Sequence, residues 1–198
     1  MSTLEHPTSL VLASASPRRR DLLSQLGVQF TVAAADLDET PLDKEAADTY
    51  VLRLARAKAQ AVAARFPGTW VLAADTTVAL GTELLGKPGG PAEAREMLTR
   101  LSGRTHAVYT GVALAGRAQE ATVVRTGVTF RTLSASEIDW YVSTGEPLDK
   151  AGAYAVQGKG GFLVAAVEGS PTNVIGLPLG ETLELLTRAG VPLPWRSS

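Results

Sequence analysis

Three consecutive arginines, Arg18, Arg19 and Arg20, follow Ser14-Ala15-Ser16-Pro17 at a point where a helix should begin. Leu10-Val11-Leu12-Ala13 reads as a short buried strand. Ser16 then suits the N-cap, Pro17 the first helical position, Leu22, Leu23 and Leu26 an apolar stripe, and Gly27 the stop. The arginines therefore occupy the first turn, where backbone N–H groups lack partners and the helix dipole is already positive. Unpaired cations there cost from a few tenths to about 1 kcal/mol each. A bound anion reverses that sign, so strand, serine-rich turn, helix N-terminus and guanidinium forks together read as a phosphate site. The competing reading is a solvated arginine run on a surface helix, and Arg20, which only continues the run, fits it.

Asp75-Thr76 follows the apolar run Val71-Leu72-Ala73-Ala74, which puts the carboxylate at or near the end of a buried strand, where open α/β sheets bind ligands. There it can hold a divalent metal or take a proton from water, and it is costly to keep without a partner. The alternative is an aspartate capping its own turn. Gly81-Thr82-Glu83-Leu84-Leu85-Gly86-Lys87-Pro88 is a near miss to a phosphate loop: Pro88 removes the magnesium-binding hydroxyl and an N–H, and with Gly89-Gly90 it prevents the helix that should follow. Lys87 stays a candidate phosphate contact outside any P-loop. Asp36-Leu37-Asp38-Glu39 is either a solvated turn or part of a metal site. Lys58 lies on a predicted helix beside Arg53 and Arg56 and alone would read as a surface lysine. His106 follows Gly103-Arg104-Thr105, and a packed or hydrogen-bonded role suits it better than a Ser-His-Asp triad, because no nucleophile elbow accompanies it.

These side chains need a frame, and the chain alternates predicted strands with predicted helices, without internal repeat or low-complexity linker, as one α/β unit does. Further helices are expected over residues 46–65, 91–101, 134–143 and 180–189, the third opened by a capping box of Ser134 with Glu137. Strands are expected over residues 70–74, 107–115, 122–132 and 162–167, with a hairpin at Ala115-Gly116-Arg117-Ala118 that makes the sheet mixed. Residues 85–90 and 145–161 are too long and too specific in composition to be simple turns.

The 198 residues, 45% of them hydrophobic, suffice for one good core, so a single domain spanning 1–198 is expected. A net charge of −1 argues against general binding to nucleic acid or a membrane surface. The absence of cysteine excludes disulfides, thiolate nucleophiles and zinc ribbons. Residues 1–9 lack a basic start and an apolar stretch, and no run has transmembrane length, so a soluble cytoplasmic protein is expected. Arginine outnumbers lysine fourteen to five, which draws notice to the lysines that remain: Lys44, Lys58, Lys87, Lys150 and Lys159.

Six segments in order, Leu12-Ala13-Ser14-Ala15-Ser16-Pro17-Arg18-Arg19, Ala74-Asp75-Thr76-Thr77-Val78, Gly86-Lys87-Pro88, Leu101-Ser102-Gly103-Arg104-Thr105-His106, residues 149–158 from Asp149-Lys150 to Gln157-Gly158, and residues 174–179, resemble the Maf family of nucleotide pyrophosphatases. The resemblance covers a core of residues 9–189 and departs slightly at Ala15 and Pro171-Thr172. It implies an α/β fold, with a curved mixed β-sheet flanked by helices in two lobes about a deep central cleft, as in inosine triphosphate pyrophosphatases. It also implies hydrolysis of nucleoside triphosphates to monophosphate and pyrophosphate, a divalent metal such as magnesium or manganese, and often a homodimer. Carried over by motif, Asp75 matches the proposed proton acceptor; Arg18, Thr76 and Gln157 match positions tied to substrate choice. Ser14, Arg19, Lys58 and Lys87 match polar residues at the phosphate end, and Glu39 with Asp75 would meet the metal. The segment ending in Gln157 looks like the branch preferring dTTP and UTP, whereas the branch acting on 7-methyl-GTP tends to carry an acidic residue there. Two other classes stay open: a P-loop or kinase-like NTPase, which Pro88 disfavours, and a non-catalytic nucleotide-binding regulator of septum formation.

Overall fold

A computed structural model describes residues 10–195; the expectation about residues 1–9 lies outside them. In chain order the elements are β1 (Leu10–Leu12), α1 (Pro17–Gln25), β2 (Thr31–Val32), α2 (Ala47–Ala63), β3 (Trp70–Leu80), β4 (Glu83–Leu85), α3 (Pro91–Leu101), β5 (Thr105–Ala115), β6 (Gln119–Phe130), α4 (Ala135–Ser143), β7 (Val164–Glu168), α5 (Pro171–Ile175) and α6 (Leu179–Arg188). Short 3₁₀ turns, Glu146–Asp149, Ala151–Ala153 and Lys159–Leu163, occupy the segment between α4 and β7. The seven strands form one mixed sheet in the order β2-β1-β3-β5-β6-β7, with β4 added to β3. The first three are parallel and the rest pair antiparallel, as the hairpin between β5 and β6 requires.

The predicted caps are present. Ser16 caps α1 with Pro17 in the first turn, Gly27 takes φ +65° beyond its end, and Ser134 with Glu137 makes the capping box of α4. One expectation needs correction: β3 does not end before Asp75 but continues to Leu80. Its pairing with β5 runs unbroken from Val71↔Ala115 to Ala79↔Ala107, and this long-range ladder carries the strand through Asp75-Thr76-Thr77, where the local apolar run has stopped.

On its other edge β3 meets β1 only at residues 70–72 and β4 only at residues 78–80, so between them residues 73–77 have no neighbouring strand. The sheet opens a gap there, and successive residues point to opposite faces. Val71 and Ala73 pack under α2 with Ala55, Ala59 and Val62. Leu72 and Ala74 pack on the other face with Leu22 and Leu23 of α1 and Leu185 and Leu186 of α6. Asp75 thus belongs to the α2 face and Thr76 to the face of α1, and both border the gap. Opposite Asp75 in the ladder stands Gly111, where a Cβ would collide with the α2 backbone at Val51 and Leu52. Only a hydrogen at that position lets α2 lie close enough for its side chains to reach Asp75.

Candidate active site

A cavity of about 470 Å³ fills the gap, lined by the turn before α1, by β3, by α2, by Gly86 and Lys87, and by the segment after α4. All nine side chains singled out from the sequence line it: Ser14, Arg18, Arg19, Glu39, Lys58, Asp75, Thr76, Lys87 and Gln157. They come from six separate stretches of chain, so the sheet topology and not sequence proximity assembles them.

Asp75 is 6% exposed, and its Oδ1 accepts a hydrogen bond from Lys58 Nζ at 2.6 Å. The same ammonium lies 2.5 Å from Glu39 Oε1, so one buried cation is held between two carboxylates. Lys58, which the resemblance places among the polar residues lining the phosphate end, is here paired with both acids. The face of α2 explains this, because Tyr50, Leu54 and Lys58 recur at intervals of four and share a helical stripe. Burial pushes the Asp75 carboxyl above the usual aspartate range, although Lys58 and Arg19 pull the other way. Asp38 makes the solvated turn its sequence allows, its Oδ1 accepting from the N–H and hydroxyl of Thr40 at 2.9 and 2.6 Å.

Arg19 is half-buried and crosses to the other face. Its Nε donates to the Gly176 carbonyl at 2.8 Å, Nη2 to Thr76 Oγ1 at 3.0 Å and Nη1 to Ser14 Oγ at 3.4 Å. Gly176 closes α5, so a helix C-terminal carbonyl faces this first-turn cation and offsets its repulsion with α1. Burial, opposed by the Asp75 charge, lowers the guanidinium pKa. Thr76 passes its hydroxyl contact on to Thr110 at 2.9 Å, and Thr110 donates to the Asn173 carbonyl at 3.1 Å. Arg18 is less committed, with Nη1 3.8 Å from the exposed Asp149. Arg20 is exposed, and among the described residues its guanidinium pairs only with Asp21. Lys87 and Gln157 are exposed to the cavity, and among the described residues neither has an ion pair or hydrogen bond. The glycines after Pro88 delay the following helix to Pro91, which leaves Lys87 outside any phosphate loop.

Some lining residues were not picked out by sequence reasoning. Tyr50 donates its hydroxyl to the Glu39 carbonyl at 2.9 Å and so ties down the loop that brings Glu39; burial, then repulsion by Asp75 and Glu39, pushes its phenol up to about 12. Its spacing of eight residues from Lys58 was the available signal. Tyr154 forms an aromatic wall, its hydroxyl 2.8 Å from His106 Nε2 and its ring against Phe130 at 4.8 Å. His106 is accordingly a packed core residue, with its pKa lowered by burial to about 4.

Among the described residues no group of three or more His, Asp or Glu could hold a metal. Asp75 and Glu39 offer hard oxygen donors of the kind that suit a divalent cation, but the Lys58 ammonium stands between their Oδ1 and Oε1 atoms.

Fold and cavity together define an α/β protein with a cleft in which cations gather around a buried carboxylate. The chain belongs to the family of Maf-like proteins, whose model matches residues 9–189. It is 73% identical over 191 residues to a protein of Myxococcus xanthus (strain DK1622) named dTTP/UTP pyrophosphatase, covering 96% of this chain and 97% of that one. A protein of the same name in Anaeromyxobacter dehalogenans (strain 2CP-C) is 58% identical, with 94% and 96% covered. Among solved structures, a HAM1 protein from Coxiella burnetii overlaps at a TM-score of 0.48 and 17% identity, over 91% of this chain and 98% of that one.

Proposed function

We propose that this chain is a nucleoside triphosphate pyrophosphatase acting on dTTP and UTP, the activity for which its relatives are named. The observation that carries the reading is the buried Asp75, raised in pKa, at the edge of a cavity that also holds Arg18, Arg19 and Lys87. In this reading the cations and the α1 N-terminus receive the triphosphate, and Asp75 orients a water at the α-phosphorus and takes its proton. The water oxygen bonds to that phosphorus as the bond to the bridging oxygen of the β-phosphate breaks, and pyrophosphate leaves. Lys58, between Asp75 and Glu39, fixes both carboxylates in place. With Lys58 on their Oδ1 and Oε1 atoms, Asp75 and Glu39 would hold a magnesium or manganese ion through Oδ2 and Oε2, and the ion would supply charge neutralisation to the phosphate oxygens when bound. No covalent intermediate is needed. The reading includes a homodimer and a cytoplasmic location as further expectations; among the described residues no helix is long and apolar enough to cross a membrane.

The test is a nucleotide panel, canonical and modified, scored for pyrophosphate against orthophosphate, with magnesium, with manganese and with chelator. Metal-dependent pyrophosphate release led by dTTP and UTP is the expected result. Release of orthophosphate, or binding without turnover, rejects the assignment.

A further inference from the structure

We infer that Tyr141 and Glu146, which lie outside the cavity, clamp the loop that presents Gln157 and are thereby positioning residues for base choice. The inference rests on the reading of Gln157 as the side chain that meets the base.

Tyr141 stands on α4 and is fully buried in the apolar core. That hydroxyl is spent on the loop. It donates to Glu146 Oε1 at 2.9 Å and accepts the Ala155 N–H at 3.1 Å. Glu146 then accepts the Lys159 N–H on Oε2 at 3.1 Å and the Gly160 N–H on Oε1 at 2.9 Å. The backbone is therefore held two residues before Gln157 and again two and three residues after it, while Gln157 itself stays free and exposed to the cavity. Burial raises the Glu146 carboxyl, but the N–H groups of Gly160 and Lys159 and the Tyr141 hydroxyl outweigh it, so it titrates below the usual glutamate range and stays charged at neutral pH.

The glycines around Gln157 fit the same device. Gly158 takes φ +106°, which other residues rarely adopt, and lies against Glu146. At Gly160 a Cβ would come within 2.5 Å of both Tyr141 Oη and the Ala155 carbonyl, so the clamp closes only on a bare backbone. A segment with glycine at 158, 160 and 161 has high conformational freedom, and an amide that must match a base edge cannot discriminate from a wandering loop. The clamp removes that freedom without entering the site.

The experiment compares Tyr141→Phe, Glu146→Gln and Gln157→Ala in the full chain. Steady-state kinetics with dTTP, UTP and GTP are combined with amide hydrogen exchange over residues 155–160. In both clamp variants exchange in that segment should quicken. KM for dTTP and UTP should rise about 5- to 10-fold with kcat within about twofold, while GTP parameters stay nearly constant, so the preference falls toward that of Gln157→Ala. The Tyr141→Phe/Gln157→Ala double variant should be no less selective than Gln157→Ala alone. Unchanged exchange, or an equal loss of kcat for every nucleotide, overturns the clamp. So does an intact preference in the clamp variants when Gln157→Ala has lost it, an outcome that leaves the Gln157 reading standing. If Gln157→Ala keeps the preference, that reading fails, and the clamp's part in base choice fails with it. Should Tyr141→Phe not fold, Glu146→Gln carries the test, since Glu146 lies outside the core clusters.

Discussion

The two walls of the cleft are built differently. On the wall made by the α1 turn, β3 and α2, charged side chains from separate elements brace one another: Arg19 binds Thr76 and Gly176, and Lys58 binds Asp75 and Glu39. On the wall made by residues 145–161 the backbone is held from behind by Tyr141 and Glu146, and Gln157 projects without a partner among the described residues. In the proposed reading, groups that act on phosphate must be fixed against strong mutual repulsion, and Arg18, Arg19, Lys58 and Asp75 sit on helices and a central strand. A group that reads a base needs only to be aimed, and a tethered loop can change what it reads without disturbing the charges. Substitutions on the first wall should therefore damage nucleotide binding, turnover or stability, and substitutions on the second should change preference.

The largest effect belongs to Asp75→Asn. Lys58 keeps Glu39 as a partner in this variant, so the fold should survive, while kcat falls at least about 100-fold, the contribution of one positioned acid or base. Because the Asp75 pKa is raised, the acid limb of the wild-type pH–rate profile should lie above the ordinary aspartate range. The Asn variant should lose that limb. Pyrophosphate release across pH, with a thermal melt as control, checks both. Near-normal turnover in a folded variant moves the base away from this wall.

The second effect separates neighbouring arginines. The helix dipole alone would make both dispensable for folding, since each opposes it, but Arg19 is also bonded to Gly176 and Thr76. Arg19→Ala leaves the Gly176 carbonyl and Thr76 without their donor and should cost about 1–3 kcal/mol of stability besides its loss in nucleotide binding. Arg18→Ala, removing a partly exposed pair at 3.8 Å, should leave the melt within about 0.5 kcal/mol of wild type and raise KM. Ligand-free melts that fall equally for both variants remove this distinction.

The first wall was also the more legible in the sequence. Ser16-Pro17 announces α1, and the displaced cations announce an anion site, because cap chemistry and helix dipoles are local. The pairing of Lys58 with Asp75 was not legible. It depends on the β3–β5 register and on Gly111, whose missing side chain seats α2 thirty-six positions along the chain from Asp75. A glycine inside a β-branched run was the only local sign. β2 and β4, two and three residues long, fall below the length at which alternation can be seen. α5 was missed although Ser170-Pro171 repeats the Ser16-Pro17 signature and Ser170 caps it in the same way, because its five residues show no apolar period. On the second wall the motif around Gln157 was visible, but Tyr141 lay only within a predicted helix and Glu146 only within a long predicted loop. Their function is a contact with backbone, which no side-chain pattern records.

The smallest effect is the one that best isolates the second wall. Gln157 has no partner among the described residues, so Gln157→Glu should leave the melting curve unchanged. Its amide offers a donor and an acceptor and can pair with the uracil or thymine edge, where a carbonyl acceptor lies beside the N3–H donor. A carboxylate offers acceptors only and suits the N1–H and N2–H donors of guanine. A base that leaves such groups unpaired loses about 1–3 kcal/mol per group. Wild type should therefore favour dTTP and UTP over GTP and 7-methyl-GTP by roughly tenfold or more in kcat/KM, and Gln157→Glu should narrow that gap chiefly through KM. Cytosine, with an N3 acceptor beside an amino donor, can be met by the same amide turned over, so CTP should fall between the two groups. Competition among these nucleotides, followed by pyrophosphate release, gives the ratios directly. If 7-methyl-GTP leads for the wild type, or the ratios do not move in Gln157→Glu, the base is read by the first wall, and the division of labour between the walls fails.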